Sequence, residues 1–513
     1  MRPLVSEVLG ALALAADVSA ALPPDTSLRT GVIAVGLARA HGLDGPQTSD
    51  VFVAALLRHI GCTSSAYEET GLMGDDMELK DSMGLVDAGS PVQMINAARR
   101  GFAKGKGAIA RGKAVAGFLA RAPKEVPRIF GGRCEVAIRL ADRLALSSGV
   151  ARALDETYER FDGKGAPHKM RGEALSVVSR VISCAEVASL FFRLPGGDEL
   201  AVEMVARRSG GQLDPQVVQT FRKSAIALLA PARGEDVWRK LLDAEPHPRR
   251  ELDEALDREL SSVLADVGDL KSPFTLGHSR GVARITEAAV SELGLDDGER
   301  ARARKAALLH DVGRISVSNA IWDKAGPLDA GEWEKIRLHP YFTERIVRAA
   351  SPWQSLASLA SSDHQRLGTR GYPRGASPAG RPDGAIASVL AAADVYQALT
   401  EPRPHRPARD ASHAAEELER EVAKGHLDRR AASAVLKVAG HVRVAAARGI
   451  AGLTDREIDV MRLLARGRVD KEIALELGIS PRTVHHHNQH IYDKIGVRTR
   501  GAVALFVVEN GLL

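Results

Sequence analysis

The sequence predicts an all-α protein: two related helical bundles followed by a small four-helix domain. Three observations predict it. Apolar residues recur at helical spacing in Val282, Ile285, Ala288 and Ala289, in Leu418 with Val422, and in Ile458, Met461, Leu464 and Ala465. No convincing series of alternating polar and apolar residues marks out strands. Aromatic residues are only 4% of a chain that is 45% hydrophobic, so Ala, Leu and Val packed between helices must supply most of the core.

A chain of 513 residues is too long for one hydrophobic core. Proline and glycine clusters at 195–197, 246–248, 371–382 and 402–407 punctuate it. The polar stretch Asp243–Arg250 is the first expected boundary, and Gly440–Gly452, rich in Ala, Arg and Gly, is the second. Three domains follow, at 1–242, 251–440 and 452–513. The last is near the lower size limit for folding alone.

Hydrophobic residues at 45% with charged ones at 26% are ordinary globular values, which argues against global disorder and collagen-like repeats, and a net charge of +5 permits contact with nucleic acid without demanding it. No run reaches the roughly 20 apolar residues of a membrane span. The apolar opening Leu9–Leu22 carries Asp17 and lacks a convincing cleavage site, so no signal peptide is expected. With no membrane span, no membrane partner is expected, and Cys62, Cys134 and Cys184, odd in number and widely spaced, suit a reducing cytoplasm.

The first two domains read as diverged copies. Ala54-Ala55-Leu56-Leu57-Arg58-His59-Ile60-Gly61 aligns with Ala306-Ala307-Leu308-Leu309-His310-Asp311-Val312-Gly313. Glu159-Arg160-Phe161-Asp162-Gly163-Lys164-Gly165-Ala166-Pro167 aligns with Gln365-Arg366-Leu367-Gly368-Thr369-Arg370-Gly371-Tyr372-Pro373. The first copy also holds a basic, Gly-rich stretch, Arg99–Lys113. It could form an anion-binding nest, but a solvated connector accounts for it without any function.

His and Asp concentrate between 278 and 394, at places where helices should begin or end: His278, His310-Asp311, His339, Asp363-His364 and Asp394. Neutral imidazoles and carboxylates hold Fe, Mn, Zn and similar divalent ions. A carboxylate can bridge two ions, and Asp311 is the expected bridge because its neighbour His310 can bind one of the same ions. Ligands spread over several helices suit a bundle whose centre is lined from all sides.

Together these segments resemble the HD-GYP subgroup of HD-domain metal phosphohydrolases over about 170 residues. The match runs through His278-Ser279-Arg280-Gly281-Val282, the His310-Asp311 segment, Glu332-Trp333-Glu334 with His339-Pro340, and Asp363-His364. It continues through Gly371-Tyr372-Pro373 and Ala393-Asp394-Val395-Tyr396-Gln397-Ala398-Leu399-Thr400 to Arg403-Pro404-His405-Arg406. The resemblance implies two HD-like bundles, the first degenerate, and a metal-dependent phosphodiesterase of cyclic dinucleotides such as cyclic di-GMP. It implies one ion on His278, His310, Asp311 and Asp394, and a second on Asp311, His339, Asp363 and His364. Phe274 stands where a third ion would call for Glu, so two are expected, Fe, Mn or similar. Asp311 and Arg314 would be catalytic, with Arg314, Tyr372 and Arg403 meeting substrate.

The match has departures. Asp363 replaces the first of two histidines, Gln365 a Glu, Leu367-Gly368-Thr369 a Trp-Asp-Gly, and Arg314 a Lys. The first copy has Arg58-His59, Thr157-Tyr158 and Glu186 at the ligand positions, so no catalysis is expected there.

Residues 452–513 resemble the LuxR-type helix-turn-helix domain. Thr454 with Glu457 makes a capping box. Asp470–Leu477 is the scaffold helix, Gly478-Ile479-Ser480 the turn, and Pro481–Ile491 a second helix that would enter the major groove. Arg482, Thr483, His485, His486 and Gln489 lie on its exposed side, while Lys471 and Lys494 suit phosphate. Near-zero net charge on this domain makes a homodimer on paired half-sites the expected state on double-stranded DNA. The whole reads as a DNA-binding transcriptional regulator whose middle domain binds or hydrolyses a cyclic dinucleotide or related phosphoester. Two alternatives stand beside it: an enzyme whose main output is turnover, and a catalytically silent, metal-stabilised sensor.

Overall fold

The computed structural model describes residues 3–101, 108–367, 371–373, 383–440 and 450–513. The middle of the basic stretch Arg99–Lys113, most of the loop from 368 to 382, and most of the second expected linker lie outside them. The all-α expectation is borne out: the described residues form helices, with isolated bridges such as Leu4 to Glu251 and no strand among them. No described helix is long and apolar enough to cross a membrane.

The chain divides into two compact units, 1–256 and 257–513. In the first, the apolar opening forms the helix Val5–Ser19, buried through Val8, Leu9, Leu12 and Ala16. Asp17 is tolerated inside because it accepts bonds from the Ser27 N–H at 3.0 Å and from the Ser27 hydroxyl. The polar stretch expected as a boundary packs within this unit. Val5 N–H donates to the Arg250 carbonyl at 3.0 Å, Leu252 N–H to that of Pro3 at 2.9 Å, and the Ser6 hydroxyl to Glu245 at 2.8 Å.

Each unit repeats the same local devices. The helices Gly45–Leu57 and Asp297–Leu309 both open on reciprocal capping boxes, Asp44 with Gln47 and Asp296 with Glu299. Asp269 accepts from the Ser279 N–H at 2.9 Å and hydroxyl at 2.8 Å, as Asp17 does from Ser27. Ala166 N–H reaches the Tyr158 carbonyl and Tyr372 N–H the His364 carbonyl, both at 3.2 Å. Phe161 is tied to Gln212 as Leu367 is to His426. Gly61 lies against the Arg133 carbonyl just as Gly313 lies against that of His339. Arg133 therefore occupies, within its own unit, the position of His339.

A Cβ on Gly313 would run into the His339 carbonyl and the Thr343 backbone nitrogen, neither of which a rotamer change can move aside. Gly313→Ala is expected to cost about 3 kcal/mol or more, at the upper end of overpacking penalties, and to lower the melting temperature. An unchanged melt would contradict the tight turn. The turn brings Asp311 onto the helix His339–Ala349: Gly313 N–H donates to the Thr343 hydroxyl at 3.0 Å, which in turn donates to the His310 carbonyl at 2.9 Å.

In the second unit the helices His278–Glu292, Asp297–Leu309, His339–Ala349 and Gly384–Thr400 surround the candidate site. The same unit contains the helices Asp455–Ala465, Asp470–Leu477, Pro481–Ile495 and Arg500–Glu509.

Candidate metal centre and DNA interface

The expected ligands converge. Ligand atoms of Asp311, His339, Asp363 and His364 lie within 4.8 Å of one another, as do those of His278, His310 and Asp311. Asp311 belongs to both groups. Its Oδ1 is 3.6 Å from His339 Nε2, and its Oδ2 is 3.6 Å from both His278 Nε2 and His310 Nε2. Asp394 Oδ1 joins the His278 side, 3.2 Å from His278 Nε2 and 3.8 Å from His310 Nε2.

The site residues other than Asp394 come from helix ends or tight turns. His278 opens its helix after Gly277, whose φ of 70° suits glycine. His310-Asp311 follows the end of Asp297–Leu309, and His339 opens its own helix. Asp394, expected at a helix end, instead lies in the middle of the mostly apolar helix Gly384–Thr400, beside buried Ala391, Ala392 and Ala393.

The outer nitrogens fix the rings. Nδ1 donates to the Ala307 carbonyl from His310 and to the Ile336 carbonyl from His339, both at 2.7 Å, and to Glu401 from His278 at 2.8 Å. That arrangement leaves Nε2 lone pairs for a metal. His310 Nε2, His339 Nε2, Asp311 Oδ1 and both Asp363 oxygens are buried without a hydrogen-bond partner. Buried polar atoms are rarely left so. Their convergence fits a divalent cation, and HD domains bind divalent metals.

Electrostatics divides the two ligand groups. Burial raises the cost of a charge on Asp311, but Arg314 and the surrounding histidines hold its carboxyl far below the ordinary range. Burial pushes the Asp363 carboxyl up to about 8, the price of a second buried acid beside Asp311 and Asp394. Burial lowers His339 to about 4 and His364 to about 3, which keeps both rings neutral and able to ligate. Against their burial, His278 is lifted to about 10 by Glu401 and Asp394 and His310 to about 9 by Asp311 and Asp394, so each of these two rings would have to give up a proton to ligate.

Arg314 Nη1 donates to Asp311 Oδ2 at 3.0 Å. Tyr372 stacks on His364 with ring centroids 4.7 Å apart. Arg403 is placed behind His278, bonded to Glu401 at 2.9 Å and to the Phe274 carbonyl at 3.1 Å. Glu401 escaped the sequence reading. Its signal was its place two helical turns beyond Asp394, which keeps it on the same side of the bundle.

The first unit fills the corresponding space with an ion-pair cluster. Glu186 receives Arg58 Nη2 and His59 Nε2, each at 2.9 Å, and Arg58 also donates to the Thr157 carbonyl at 2.8 Å. Despite burial, Arg58 and His59 hold Glu186 down to about 2 from an ordinary 4.5. Burial also opposes charge on His59, yet its bonds to Cys62 and Glu186 lift it to about 9 from 6.5. The Glu186 contribution to stability is complete above 4.5 and fades as pH falls toward about 2. That of His59 is complete below 6.5 and fades as pH rises through about 9. The melting-temperature advantage of wild type over Glu186→Gln is therefore expected to peak between pH 4.5 and 6.5 and to shrink on both sides. A difference constant with pH would contradict it.

In the smaller module, Thr454 and Glu457 form the expected capping box. Gly478 turns with φ 65°, and Ser480 caps Pro481–Ile495 by accepting from Thr483 N–H at 3.0 Å. Val484, Ile491 and Ile495 are buried with Ile473. Arg482, Thr483, His485, His486 and Gln489 are exposed on that helix, and Lys471 is exposed on the preceding one. Lys494 instead bonds Glu457 at 2.7 Å. Asn488, which the sequence reading passed over, is buried and donates to Asp470 at 2.9 Å, fixing the two helices of the turn against each other.

Comparison with known proteins gives both parts a lineage. Residues 262–431 match the HD domain family, and residues 451–507 match the family described as bacterial regulatory proteins, luxR family. A 3'3'-cGAMP-specific phosphodiesterase of Vibrio cholerae is 30% identical over 408 residues, covering 79% of this chain and 88% of that protein. A cyclic di-GMP phosphodiesterase of Pseudomonas aeruginosa is 30% identical over 33% of this chain and 40% of its own length. The crystal structure of a cyclic GMP-AMP specific phosphodiesterase of V. cholerae superposes with a TM-score of 0.59 at 25% identity, covering 86% of this chain and 99% of that one.

Proposed function

Because the chain belongs to the HD-GYP-type family of HD-domain cyclic-dinucleotide phosphodiesterases and carries a LuxR-family regulatory domain, we propose that it is a DNA-binding regulator whose second unit binds and hydrolyses a cyclic dinucleotide. The observation that carries this reading is Asp311, shared between two groups of converging ligand atoms. His278, His310, Asp311 and Asp394 would hold one ion, and Asp311, His339, Asp363 and His364 the other. Bound there, divalent ions supply Lewis acidity and bring the deprotonation of water toward neutral pH.

The chain's own residues do the rest. Glu401 orients His278, and the Ala307 and Ile336 carbonyls orient His310 and His339. Arg314 offers a planar guanidinium suited to a phosphodiester. Tyr372, stacked on His364, shapes the wall beside it. The first unit is a degenerate copy in which the Arg58 and Arg133 guanidiniums supply positive charge, and it serves as a partner domain without catalysis. A homodimer presents two recognition helices to paired half-sites.

A silent sensor is the second reading. It is favoured by Asp363 and Gln365, whose buried polar atoms have no hydrogen-bond partner. Incubation of the purified chain in manganese or ferrous iron with 3'3'-cGAMP or cyclic di-GMP separates the two readings. Linear dinucleotide supports the enzyme, and tight binding without product supports the sensor. Footprinting with and without the nucleotide tests the regulatory link, and DNA occupancy that ignores the nucleotide would refute it.

A further inference from the structure

Trp322 has no part in the reading above, yet it touches two members of the site. It ends the short helix Asn319–Trp322, which is capped by the Ser318 hydroxyl accepting from Ala320 N–H at 3.1 Å. Its indole N–H donates to the Arg314 carbonyl at 3.1 Å. The Arg314 guanidinium carbon lies 3.9 Å from the centroid of its ring. Its ring meets that of His339 edge to face, with centroids 5.6 Å apart. One aromatic plane thus holds both ends of Arg314 and touches a candidate ligand.

The chemistry of the pair is specific. A guanidinium is flat, keeps its charge, and carries five N–H donors in its plane. Stacking covers a face and leaves the edges free for bonding. One edge of Arg314 bonds Asp311 Oδ2 at 3.0 Å, at the rim of the candidate metal centre. An ammonium in the same position would be a point charge with no face to stack, so Trp322 matters because residue 314 is Arg. Stacking also restricts the side chain before any ligand arrives, which reduces the entropy lost on binding.

We propose that Trp322 is a positioning residue that holds the Arg314 guanidinium flat at the edge of the metal centre as a clamp for one phosphodiester group of the substrate. This rests on the proposed reading of the site. The clamp acts on binding, so its removal weakens substrate affinity more than it slows the chemical step.

The test compares Trp322→Leu, Trp322→Phe, Arg314→Lys and the Trp322→Leu/Arg314→Lys double variant, using 3'3'-cGAMP and manganese-loaded protein. Trp322→Leu is expected to raise KM by about 10-fold while kcat stays within about 3-fold and metal content is unchanged. Trp322→Phe keeps a ring and recovers most of the affinity. Arg314→Lys matches Trp322→Leu, and the double variant adds little, because the two residues act as one unit. An unchanged KM in Trp322→Leu, or effects that multiply in the double variant, would overturn the proposal. So would loss of metal or of folding in both Trp322 variants, which would assign the residue to packing with Val317, Ile321 and Ile336.

If wild type neither binds nor hydrolyses a cyclic dinucleotide, the reading of the function fails, and the positioning role is still decided by fluorescence. Titration with zinc then compares the emission of wild type with that of Trp322→Phe and Arg314→Ala. A zinc-dependent Trp322 signal that vanishes in Arg314→Ala supports the coupling of Trp322, Arg314 and the ligand cluster, and a signal indifferent to Arg314 overturns it.

Discussion

Asp311→Ala is expected to empty both ion positions at once. Its two oxygens face different partners, Oδ1 toward His339 and Oδ2 toward His278 and His310. No other residue belongs to both ligand groups. Loss of a residue that merely orients a ligand costs about 10–100-fold in metal affinity. Removal of a shared carboxylate should exceed that, so metal retained through gel filtration is expected to fall by more than about 10-fold. Ions held there would supply several kcal/mol of transition-state stabilisation, so on the proposed reading turnover should fall by about a thousandfold or more. Asp311→Asn keeps the shape, removes the charge and should behave similarly. Asp394→Asn is the contrast: Asp394 lies beside His278 and His310, so it should deplete one ion and spare the other. Elemental analysis with a hydrolysis assay checks all three. Full metal content in Asp311→Ala would refute the shared-ligand geometry.

Much of this site was legible because metal ligation needs particular residue types, and His and Asp at helix ends are scarce enough to be noticed. Asp311 was singled out by its place next to His310, and the fold gathers both groups of candidate ligand atoms around it. Glu401 and Trp322 were harder to see. The spacing of Glu401 from Asp394 hints at a shared side but does not name His278, 123 residues away, as its partner, and an indole has no ligating chemistry to draw attention to Trp322. Lys494 shows the opposite failure. A Lys near the end of a recognition helix looks free for phosphate, but its bond to Glu457 joins segments 37 residues apart, which helical periodicity does not reveal. The stretch read as the first boundary has pairings that were hidden for a related reason. Asp243–Arg250 is polar in composition, yet the Arg250 carbonyl accepts from Val5 N–H and the Glu245 carboxylate from the Ser6 hydroxyl, and only the folded chain shows those pairings.

Gln489→Ala is expected to weaken binding to the specific operator by about 1–3 kcal/mol, or roughly 5–150-fold, while leaving non-specific binding nearly unchanged. The helix Pro481–Ile495 is held from below by buried Val484, Asn488, Ile491 and Ile495, so Gln489 stays on its outer face with a side chain that can read a base edge. Arg482→Ala should act differently: exposed and cationic, it would weaken binding to all sequences and lower the salt slope by about 1. Lys494→Ala provides the discriminating control. Its ammonium already neutralises Glu457, whose carboxyl it helps hold down to about 2 in spite of burial. Its removal should therefore lower the stability of the module more than it changes the salt slope. Positive and negative side chains nearly cancel in this module, so electrostatic attraction from one copy is weak. Two half-sites spaced about 34–36 Å apart should be bound far more tightly than one. Fluorescence anisotropy at two salt concentrations, on single and paired half-sites, measures each of these effects. Equal affinity for single and paired sites would rule out the dimeric mode of reading, and a Gln489→Ala loss shared by all sequences would remove that residue from base recognition.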